Sequence, residues 1–404
     1  MFAALRRRDF RLLFAGQSLS IVGDGAYTIT LSWFTYDLTR SAGSVALVLG
    51  VVTAAKLASL LFGGVIADRG NKRRLMLGID GARGLVMGAV AAMTLTHQIT
   101  LTVLVLFAAV VGLLDSLFGP CFSGLVPSLV PPGELASANG LVGFIRSAGV
   151  VAGPVIGGAL YAALGPGIVF ALDAGTFFWA AALISLARTA GARPSRPGTS
   201  PLQDAVEGAR YVRTTPLLMW SIPIAALAMM LSDAPTQTLL PRLVSERFPG
   251  GALTLGAFET TLGIGYALGA LLCARKAVAR RRAVVVFAGW AAGHVLCAVL
   301  ALQSDTIAAL SLSVARGFAA GYASVLWETL LMSLVPKDKL ARVFSLDSFG
   351  ASGMLPVGFV LAGLLAPLAP AGTIIAWGQL TAGALMLSLL LVRSIRTVDH
   401  REAL

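Results

Sequence analysis

Charged residues are what this sequence has least of. Only 12% of its 404 residues are Asp, Glu, Lys or Arg, and 57% are hydrophobic. A soluble globular domain is about one quarter charged. A water-soluble core cannot hide so large an apolar fraction, so the composition excludes an ordinary soluble protein. It predicts a protein that is solvated mainly by lipid.

Histidine and cysteine are also scarce. The three histidines are scattered, and Cys121, Cys273 and Cys297 lie in or beside apolar stretches. Neither set has the spacing of a metal site or a disulfide framework. A nucleotide-binding loop of the form G-x-x-x-x-G-K-[ST] does not occur either. The sequence therefore predicts no metal, no cofactor and no enzymatic activity, and the cysteines are interpreted as packing residues.

Long apolar stretches account for most of what is present. A helix needs about 20 apolar residues to cross a hydrocarbon layer of about 30 Å. The first stretch contains polar residues and has no A-x-A-like cleavage site, so we expect a retained helix and not a signal peptide. The twelve predicted spans are 12–38, 42–67, 75–96, 100–126, 135–163, 166–188, 216–240, 252–274, 283–303, 305–334, 340–366 and 371–392.

The net charge of +12 has a simple explanation that does not involve nucleic acid. Most of the 31 Lys and Arg residues lie in alternate loops, so that one side of the predicted membrane protein is basic and the other nearly neutral. This asymmetry fixes orientation in membranes. It predicts a multi-pass protein of the inner (plasma) membrane with both termini in the cytoplasm.

The longest connection divides the chain near its middle. "RTAGARPSRPGTSP" is rich in Pro, Gly and Ser, which is typical of a flexible linker. We expect an N-terminal six-helix bundle at 1–188, a cytoplasmic linker with a short amphipathic helix at 189–215, and a C-terminal six-helix bundle at 216–404. "SLVPPGELASANGLVGF" and "SLVPKDKLARVFSLDSF" occur at corresponding places in the two bundles. The predicted fold class is an all-α membrane protein of twelve transmembrane helices in two pseudo-symmetric bundles, an organisation typical of transporters.

The loop between spans two and three is unusually charged. "GGVIADRGNKRR" contains the pattern G-x-x-x-D-R-x-x-x-R-R as Gly64, Asp68, Arg69, Arg73 and Arg74. This pattern resembles the loop signature of the major facilitator superfamily. The resemblance implies a cytoplasmic gate that latches in the outward-facing state. We expect the Asp68 carboxylate to cap the start of span eleven, near residues 339–342.

Span five carries a second motif. "GLVGFIRSAGVVAGPVIGG" matches the antiporter motif of that superfamily, G-x8-G-x3-G-P-x2-G-G, and its positions here are Gly140, Gly149, Gly153, Pro154, Gly157 and Gly158. Small residues three and four apart let two helices approach closely. We expect Gly153 and Gly157 to contact span eight near Gly265 and Gly269. The resemblance implies an exporter that exchanges its substrate for protons.

The start of the chain and "LVPPGELASANGL" are similar to the macrolide-efflux and enterobactin-exporter branch of the superfamily. One departure affects the mechanism. The arginine usual in span four is missing, and Asp115 lies in that region instead, so the coupling role of that arginine is not carried over.

Ionisable residues inside a membrane are costly and face a cavity or a partner. We expect Asp80 to pair with Arg83, and Asp115 with Arg146. Asp173 and Asp347 are interpreted as structural. The residues predicted to line a cavity for proton coupling and substrate are Asp24, Asp115, Arg146, Asp233, Arg316, Trp327 and Glu328. Asp24 is the preferred proton carrier, since it lies between Gly23 and Gly25, where small neighbours leave room for water or ligand.

The function predicted from these features is proton-coupled export of a small amphipathic molecule by alternating access. The expected partners are that substrate, protons and membrane lipids, with no nucleic acid, and the expected state is a monomer. A lipid or lysolipid flippase on the same fold is the alternative. A membrane enzyme or a receptor that transports nothing fits the sequence less well.

Overall fold

The computed structural model describes residues 3–187, 201–278, 280–336 and 339–396, with side chains except at 60–69, 201–205, 341 and 394. The described residues fold into helices and contain no strand. The α-helices are α1 (Arg8–Thr39), α2 (Ala42–Arg69), α3 (Lys72–Leu95), α4 (Leu101–Leu129), α5 (Leu135–Leu164), α6 (Pro166–Leu186), α7 (Pro201–Thr214), α8 (Pro216–Arg247), α9 (Ala252–Arg275), α10 (Arg282–Ala301), α11 (Thr306–Leu334), α12 (Leu340–Gly353), α13 (Leu355–Leu365), α14 (Ala371–Ser388) and α15 (Arg393–Arg396).

Each predicted span corresponds to a long helix, or in one case to a pair of helices. Most boundaries agree within a few residues, and α8 extends to Arg247, seven residues beyond its predicted end. The span predicted at 340–366 is divided at Met354 into α12 and α13. Pro356 explains the break, because proline has no N–H group to donate to the Ser352 carbonyl and its ring clashes with that carbonyl.

Eleven helices among the described residues are long and apolar enough to cross a membrane. The first helix, α1, is not one of these eleven. Its 32 residues would span about 48 Å, but it carries many hydroxyl groups and the carboxylate of Asp24. Its polarity lowers its mean hydropathy, while its length suffices to cross. The predicted fold class, an all-α membrane protein, is confirmed.

The chain forms two compact units. Unit 1 consists of Met1–Arg196 together with Pro249–Thr260, and unit 2 consists of Pro197–Phe248 and Thr261–Leu404. The short helix α7, predicted as part of the linker, packs on α8 and α12 of unit 2. The preceding stretch 188–200 lies outside the described residues.

The two units repeat one packing pattern. In unit 1, α1 packs on α5 and α6, and α3 packs on α4 and α6. In unit 2, α8 packs on α13 and α14, and α10 packs on α11 and α14. The helices correspond in chain order, which agrees with the internal repeat seen in the sequence.

Glycines set the closest helix approaches of unit 2. A Cβ atom added at Gly265 or Gly269 of α9 would overlap backbone oxygens of α11, and one added at Gly317 or Gly321 of α11 would overlap backbone oxygens of α9. These glycines therefore form a reciprocal face between α9 and α11. The predicted contact of Gly265 and Gly269 with span five is wrong, because both residues face α11.

Candidate functional site

Unit 1 contains an open cavity of about 450 Å³ that is lined by α1–α6. Its wall combines charged groups with aromatic rings. The lining residues are Ile21, Asp24, Tyr27, Thr28, Lys56, Arg83, Met87, Val111, Asp115, Ser116, Phe118, Gly119, Pro120, Phe122, Arg146 and Phe177. Three of the predicted cavity residues, Asp24, Asp115 and Arg146, lie in this wall.

Arg83 of α3 forms a salt bridge with Asp115 of α4. The Arg83 side chain is only 5% exposed, and that of Asp115 is 29% exposed. The guanidinium carbon of Arg83 also lies 4.9 Å from the ring centroid of Phe118 and 5.4 Å from that of Phe177. A carboxylate and two aromatic faces thus compensate a cation that is removed from water.

This salt bridge corrects two predicted pairings. Arg83 pairs with Asp115 and not with Asp80, and the partner of Asp115 is Arg83 and not Arg146. Asp80 accepts a hydrogen bond of 3.0 Å from Gln17 Nε2 of α1. Residues 80 and 83 are one turn apart, but their side chains reach different neighbouring helices.

Asp24 lies on the cavity wall between two tightly packed glycines. A Cβ atom at Gly23 would overlap the Asp173 carboxylate of α6, and one at Gly25 would lie 2.7 Å from the carbonyl oxygen of Gly149 in α5. The glycines therefore let α1 approach α5 and α6, and they do not provide the open space that the sequence suggested. The carboxylate of Asp24 faces the cavity between these two contacts.

Three charged side chains of the cavity wall form no ion pair with one another, namely those of Asp24, Lys56 and Arg146. Among the described residues, no group lies within hydrogen-bonding or ion-pairing distance of the Asp24 carboxylate or the Lys56 ammonium. The Arg146 guanidinium lies 5.6 Å from the ring centroid of Phe122, and the described part of the chain offers it no carboxylate partner. The cavity thus contains one anion and two cations that a ligand, protons or water can compensate.

Asp173 is a buried polar residue behind this wall. It is 2% exposed, and one of its carboxylate oxygens lies 3.3 Å from the Thr176 hydroxyl. Its other oxygen, Oδ2, has no hydrogen-bond partner among the described residues. Asp173 lies against Gly23 of α1, the chain neighbour of Asp24, but it does not line the cavity.

The predicted site residues of the second half belong to unit 2 and are not among the residues that line the unit 1 cavity. Asp233 of α8 accepts a 2.8 Å hydrogen bond from Gln237, and Arg316 lies on α11. Trp327 packs in an aromatic cluster with Phe287 and Trp290 and donates to Asp347 Oδ2 at 3.2 Å. It is buried, whereas the neighbouring Glu328 is exposed.

That geometry separates Trp327 from Glu328, although both were predicted to line one cavity. Adjacent residues on a helix point about 100° apart, so a buried ring and an exposed carboxylate at consecutive positions do not form one surface. Trp327 belongs to the core of unit 2, where Asp347 satisfies its indole N–H group.

The glycine motif of α5 faces α1. A Cβ atom at Gly149, Gly153 or Gly157 would lie 2.6–2.7 Å from atoms of Ile21, Gly25 or Ala26. The prediction that Gly153 and Gly157 contact span eight is wrong, since their nearest neighbours belong to α1. Gly140, the first residue of the motif, has no such neighbour within 4 Å.

Pro154 and Gly158 mark a different face of α5, which meets the start of α9. Residues 252–260 of α9 belong to unit 1, and backbone atoms of Ala252 and Leu253 lie against Gly158. Gly256 in turn lies against the Pro154 carbonyl oxygen. Span five therefore does pack on span eight, through motif residues other than those predicted.

The Thr260 hydroxyl forms hydrogen bonds with the backbone of α5 beside Pro154. It donates to the Val151 carbonyl oxygen at 2.7 Å and accepts from the Val155 N–H at 3.2 Å. These are the two groups that an undistorted helix would join to each other. A proline interrupts the helical ladder, and here a side chain from another helix satisfies the opened groups. Sequence reasoning missed Thr260, and its position in "ETTLG" carries no distinctive signal.

Arg73 of the charged loop motif binds the end of α6. Its Nε donates to the Ile184 carbonyl oxygen at 3.1 Å, and it also donates to that of Ser185. The last carbonyls of a helix have no partner within the helix and carry partial negative charge, so a cation there stabilises the end. Arg74 is exposed. The structure does not describe the side chains of residues 60–69, which include Gly64, Asp68 and Arg69. The predicted cap by Asp68 therefore lies outside the described part of the protein.

The fold and the cavity together define a class of protein. A multi-pass helical membrane protein with two units of like packing and an intramembrane charged cavity has the architecture of a secondary transporter. The family profile of the Major Facilitator Superfamily matches residues 13–358. The chain therefore belongs to the Major Facilitator Superfamily and is a membrane transporter.

Comparisons with individual proteins agree with this assignment. The chain is 26% identical over 392 residues to the enterobactin exporter EntS of Shigella boydii serotype 18, covering 94% of this chain and 91% of the exporter. A bacterial homologue of the iron transporter ferroportin, solved in an inward-facing state, is 18% identical with a TM-score of 0.69, over 95% of this chain and 98% of that one. The nucleoside transporter NupG is 10% identical with a TM-score of 0.71, over 95% and 98%. These structural likenesses concern the fold alone.

Proposed function

We propose that the protein is a proton-coupled secondary exporter of a small amphipathic molecule and works by alternating access. The observation that carries the proposal is the unit 1 cavity, where Asp24, Lys56 and Arg146 face open space without ion pairs among the described residues. The similarity to an enterobactin exporter along nearly the whole chain supports the export direction.

The chemistry of the cavity wall supports an amphipathic substrate. Phe118, Phe122 and Phe177 supply aromatic surface within the same cavity as the charged groups. An apolar part of a ligand gains by leaving water against these rings, while a polar part meets the charges. A volume of about 450 Å³ suits a small molecule or one part of a larger one.

Asp24 is proposed as the proton carrier. A carboxylate that stays ionised inside a membrane is costly, so it gains from protonation in one state of the cycle and from solvation or pairing in another. Its position on the cavity wall and the lack of an ion-pair partner among the described residues fit such alternation. Asp233 holds the corresponding place in the first long helix of unit 2.

The remaining predictions from the sequence form part of the proposal. We propose a monomer in the inner membrane with both termini in the cytoplasm, bundles at 1–188 and 216–404, and contacts with membrane lipids. The loop motif that includes Asp68 is proposed to act as a cytoplasmic latch.

Two experiments test the proposal in sequence. A growth-inhibition panel of macrolides, other drugs, siderophores and self-made metabolites, run with and without expression, identifies a transported compound. The purified protein is then reconstituted in proteoliposomes that contain a pH-sensitive dye. Addition of that compound should drive proton movement opposite to substrate movement. Substrate movement without any proton movement would overturn the coupling, and movement of labelled lysolipid would favour a flippase.

A further inference from the structure

A chain of hydrogen bonds crosses unit 2 from α8 through α14 to α10. The Thr236 hydroxyl donates to the Ser232 carbonyl oxygen at 2.7 Å. Gln379 Nε2 lies 2.9 Å from the Thr236 hydroxyl oxygen, and Gln379 Oε1 lies 2.7 Å from His294 Nδ1. Ser232, Thr236 and Gln379 are all buried, at 1%, 5% and 1% exposure. The chain ends at His294, which is partly exposed.

The direction of every bond in this chain is fixed by its first member. A backbone carbonyl only accepts, so the Thr236 hydrogen is committed to Ser232. The Thr236 oxygen must then accept from Gln379, which turns the amide NH2 group toward α8. The amide oxygen of Gln379 is left to accept from His294. His294 must therefore carry a hydrogen on Nδ1.

A neutral imidazole with its hydrogen on Nδ1 has an unprotonated Nε2. That atom has no hydrogen-bond partner among the described residues, and it is not fully buried. The charged groups near the ring are Asp233 of α8 and Arg316 of α11. On α10 itself the other ionisable residues are Arg282 and Cys297, and α14 contributes none.

We propose that His294 is a proton-binding site of unit 2, with Nε2 as the atom that takes up the proton. A hydronium ion from the surrounding water gives up the proton and is left as water, and the Nε2 lone pair forms the new N–H bond. The Nδ1–H bond to Gln379 is kept, so protonation breaks no hydrogen bond of the chain. Partial burial of the ring and the Arg316 cation oppose the resulting imidazolium, whereas the hydrogen bond to Gln379 and the Asp233 carboxylate stabilise it. This site goes beyond the proposed function, whose proton carrier is Asp24 in unit 1.

Nitrogen-15 NMR of the histidine side chains tests the proposal without any transport assay. The full-length protein with labelled histidine contains three rings, those of His97, His294 and His400. Variants His97→Asn and His400→Asn remove the other two signals in turn and leave His294 untouched. Asn is chosen at position 97 because the residue has φ of 56°, which Asn tolerates.

The expected spectrum at pH 8 shows His294 as the Nδ1–H tautomer, the opposite of the Nε2–H form that free histidine prefers in water. Lowering the pH to about 5 should then convert Nε2 alone from an unprotonated to a protonated nitrogen. An Nε2–H tautomer at pH 8, or an Nε2 that stays unprotonated throughout, would overturn the proposal.

A Gln379→Met variant tests whether the hydrogen bond from His294 to Gln379, and not burial of the ring, sets the tautomer. It keeps a side chain of similar size but removes the acceptor for Nδ1–H, so the Nε2–H tautomer should gain population. An unchanged tautomer in this variant would show that Gln379 does not set it and would contradict the proposed site. Loss of transport by an Asp24 variant with an unchanged His294 spectrum would concern the proposed function alone.

Discussion

The Arg83 guanidinium of α3 and the Asp115 carboxylate of α4 form a salt bridge in the wall of the unit 1 cavity, beside the rings of Phe118 and Phe177. This pair joins two helices, and its arginine is almost fully removed from water. It takes the carboxylate of span four out of the set of free charges and leaves Asp24 as the unpaired acid in the cavity wall.

Removing one partner of this pair should destabilise unit 1. In Asp115→Asn the Arg83 cation stays buried without its carboxylate, a loss that costs about 3 kcal/mol or more. The double variant Arg83→Gln, Asp115→Asn removes both charges and should recover a large part of that loss. Thermal unfolding in detergent micelles measures both effects. A single variant as stable as the wild type would show that the salt bridge contributes little.

The glycine motif of α5 provides a matched comparison within one helix. Gly157→Ala places a Cβ atom 2.6 Å from Ala26 of α1, whereas Gly140→Ala meets no such neighbour within 4 Å. We expect Gly157→Ala to lower stability by roughly 1–3 kcal/mol through overpacking and Gly140→Ala to be tolerated. The yield of monodisperse protein and its melting temperature report the difference. Equal behaviour of the two variants would argue against the close contact of α1 with α5.

Thr260 should stabilise α5 beside Pro154. Thr260→Val keeps the shape of the side chain but leaves the Val151 carbonyl and the Val155 N–H without the hydroxyl, at a cost of about 2 kcal/mol. Thr260→Ser keeps the hydroxyl and should behave like the wild type. Unfolding in detergent separates the two substitutions. If Ser and Val variants lose stability equally, packing of the methyl group and not hydrogen bonding explains the effect.

Neighbouring arginines of the loop motif should differ in their structural effect. Arg73→Gln removes the charged donors from the carbonyls at the end of α6, which should lower stability by about 1–2 kcal/mol. Arg74 is exposed, so Arg74→Gln should leave the melting temperature unchanged. An equal loss in both variants would mean that overall loop charge, and not the contact with α6, is responsible.

The helices could be predicted from the sequence because each membrane-spanning helix requires a run of about 20 mainly apolar residues. Apolar length and basic loops located the spans, and Pro356 is a local cause for the break between α12 and α13. The polar helix α1 shows the limit of hydropathy, since its hydroxyl groups and Asp24 reflect a cavity-lining helix and not a loop.

The partners of the site residues could not be predicted, because sequence spacing does not fix helix rotation. Residues 80 and 83 are near neighbours on α3, yet Asp80 reaches Gln17 of α1 and Arg83 reaches Asp115 of α4. Gly153 and Gly157 were correctly expected to permit a close approach, but small-residue spacing does not say which helix approaches. Thr260 forms hydrogen bonds with a helix more than 100 positions away in the chain, so no local sequence pattern predicts this contact.

Asp24→Asn tests whether the unit 1 cavity couples proton uptake to export through Asp24. Wild type, Asp24→Asn and the control Asp305→Asn are compared in proteoliposomes for substrate movement driven by a pH gradient. Asp305 caps α11 with its side chain, and Asn is an equally good cap, so this control neutralises a carboxylate that does not line the cavity. We expect Asp24→Asn to abolish gradient-driven movement while substrate binding stays measurable, and Asp305→Asn to transport normally. Transport against a gradient at the wild-type rate by Asp24→Asn would show that Asp24 is not the proton carrier.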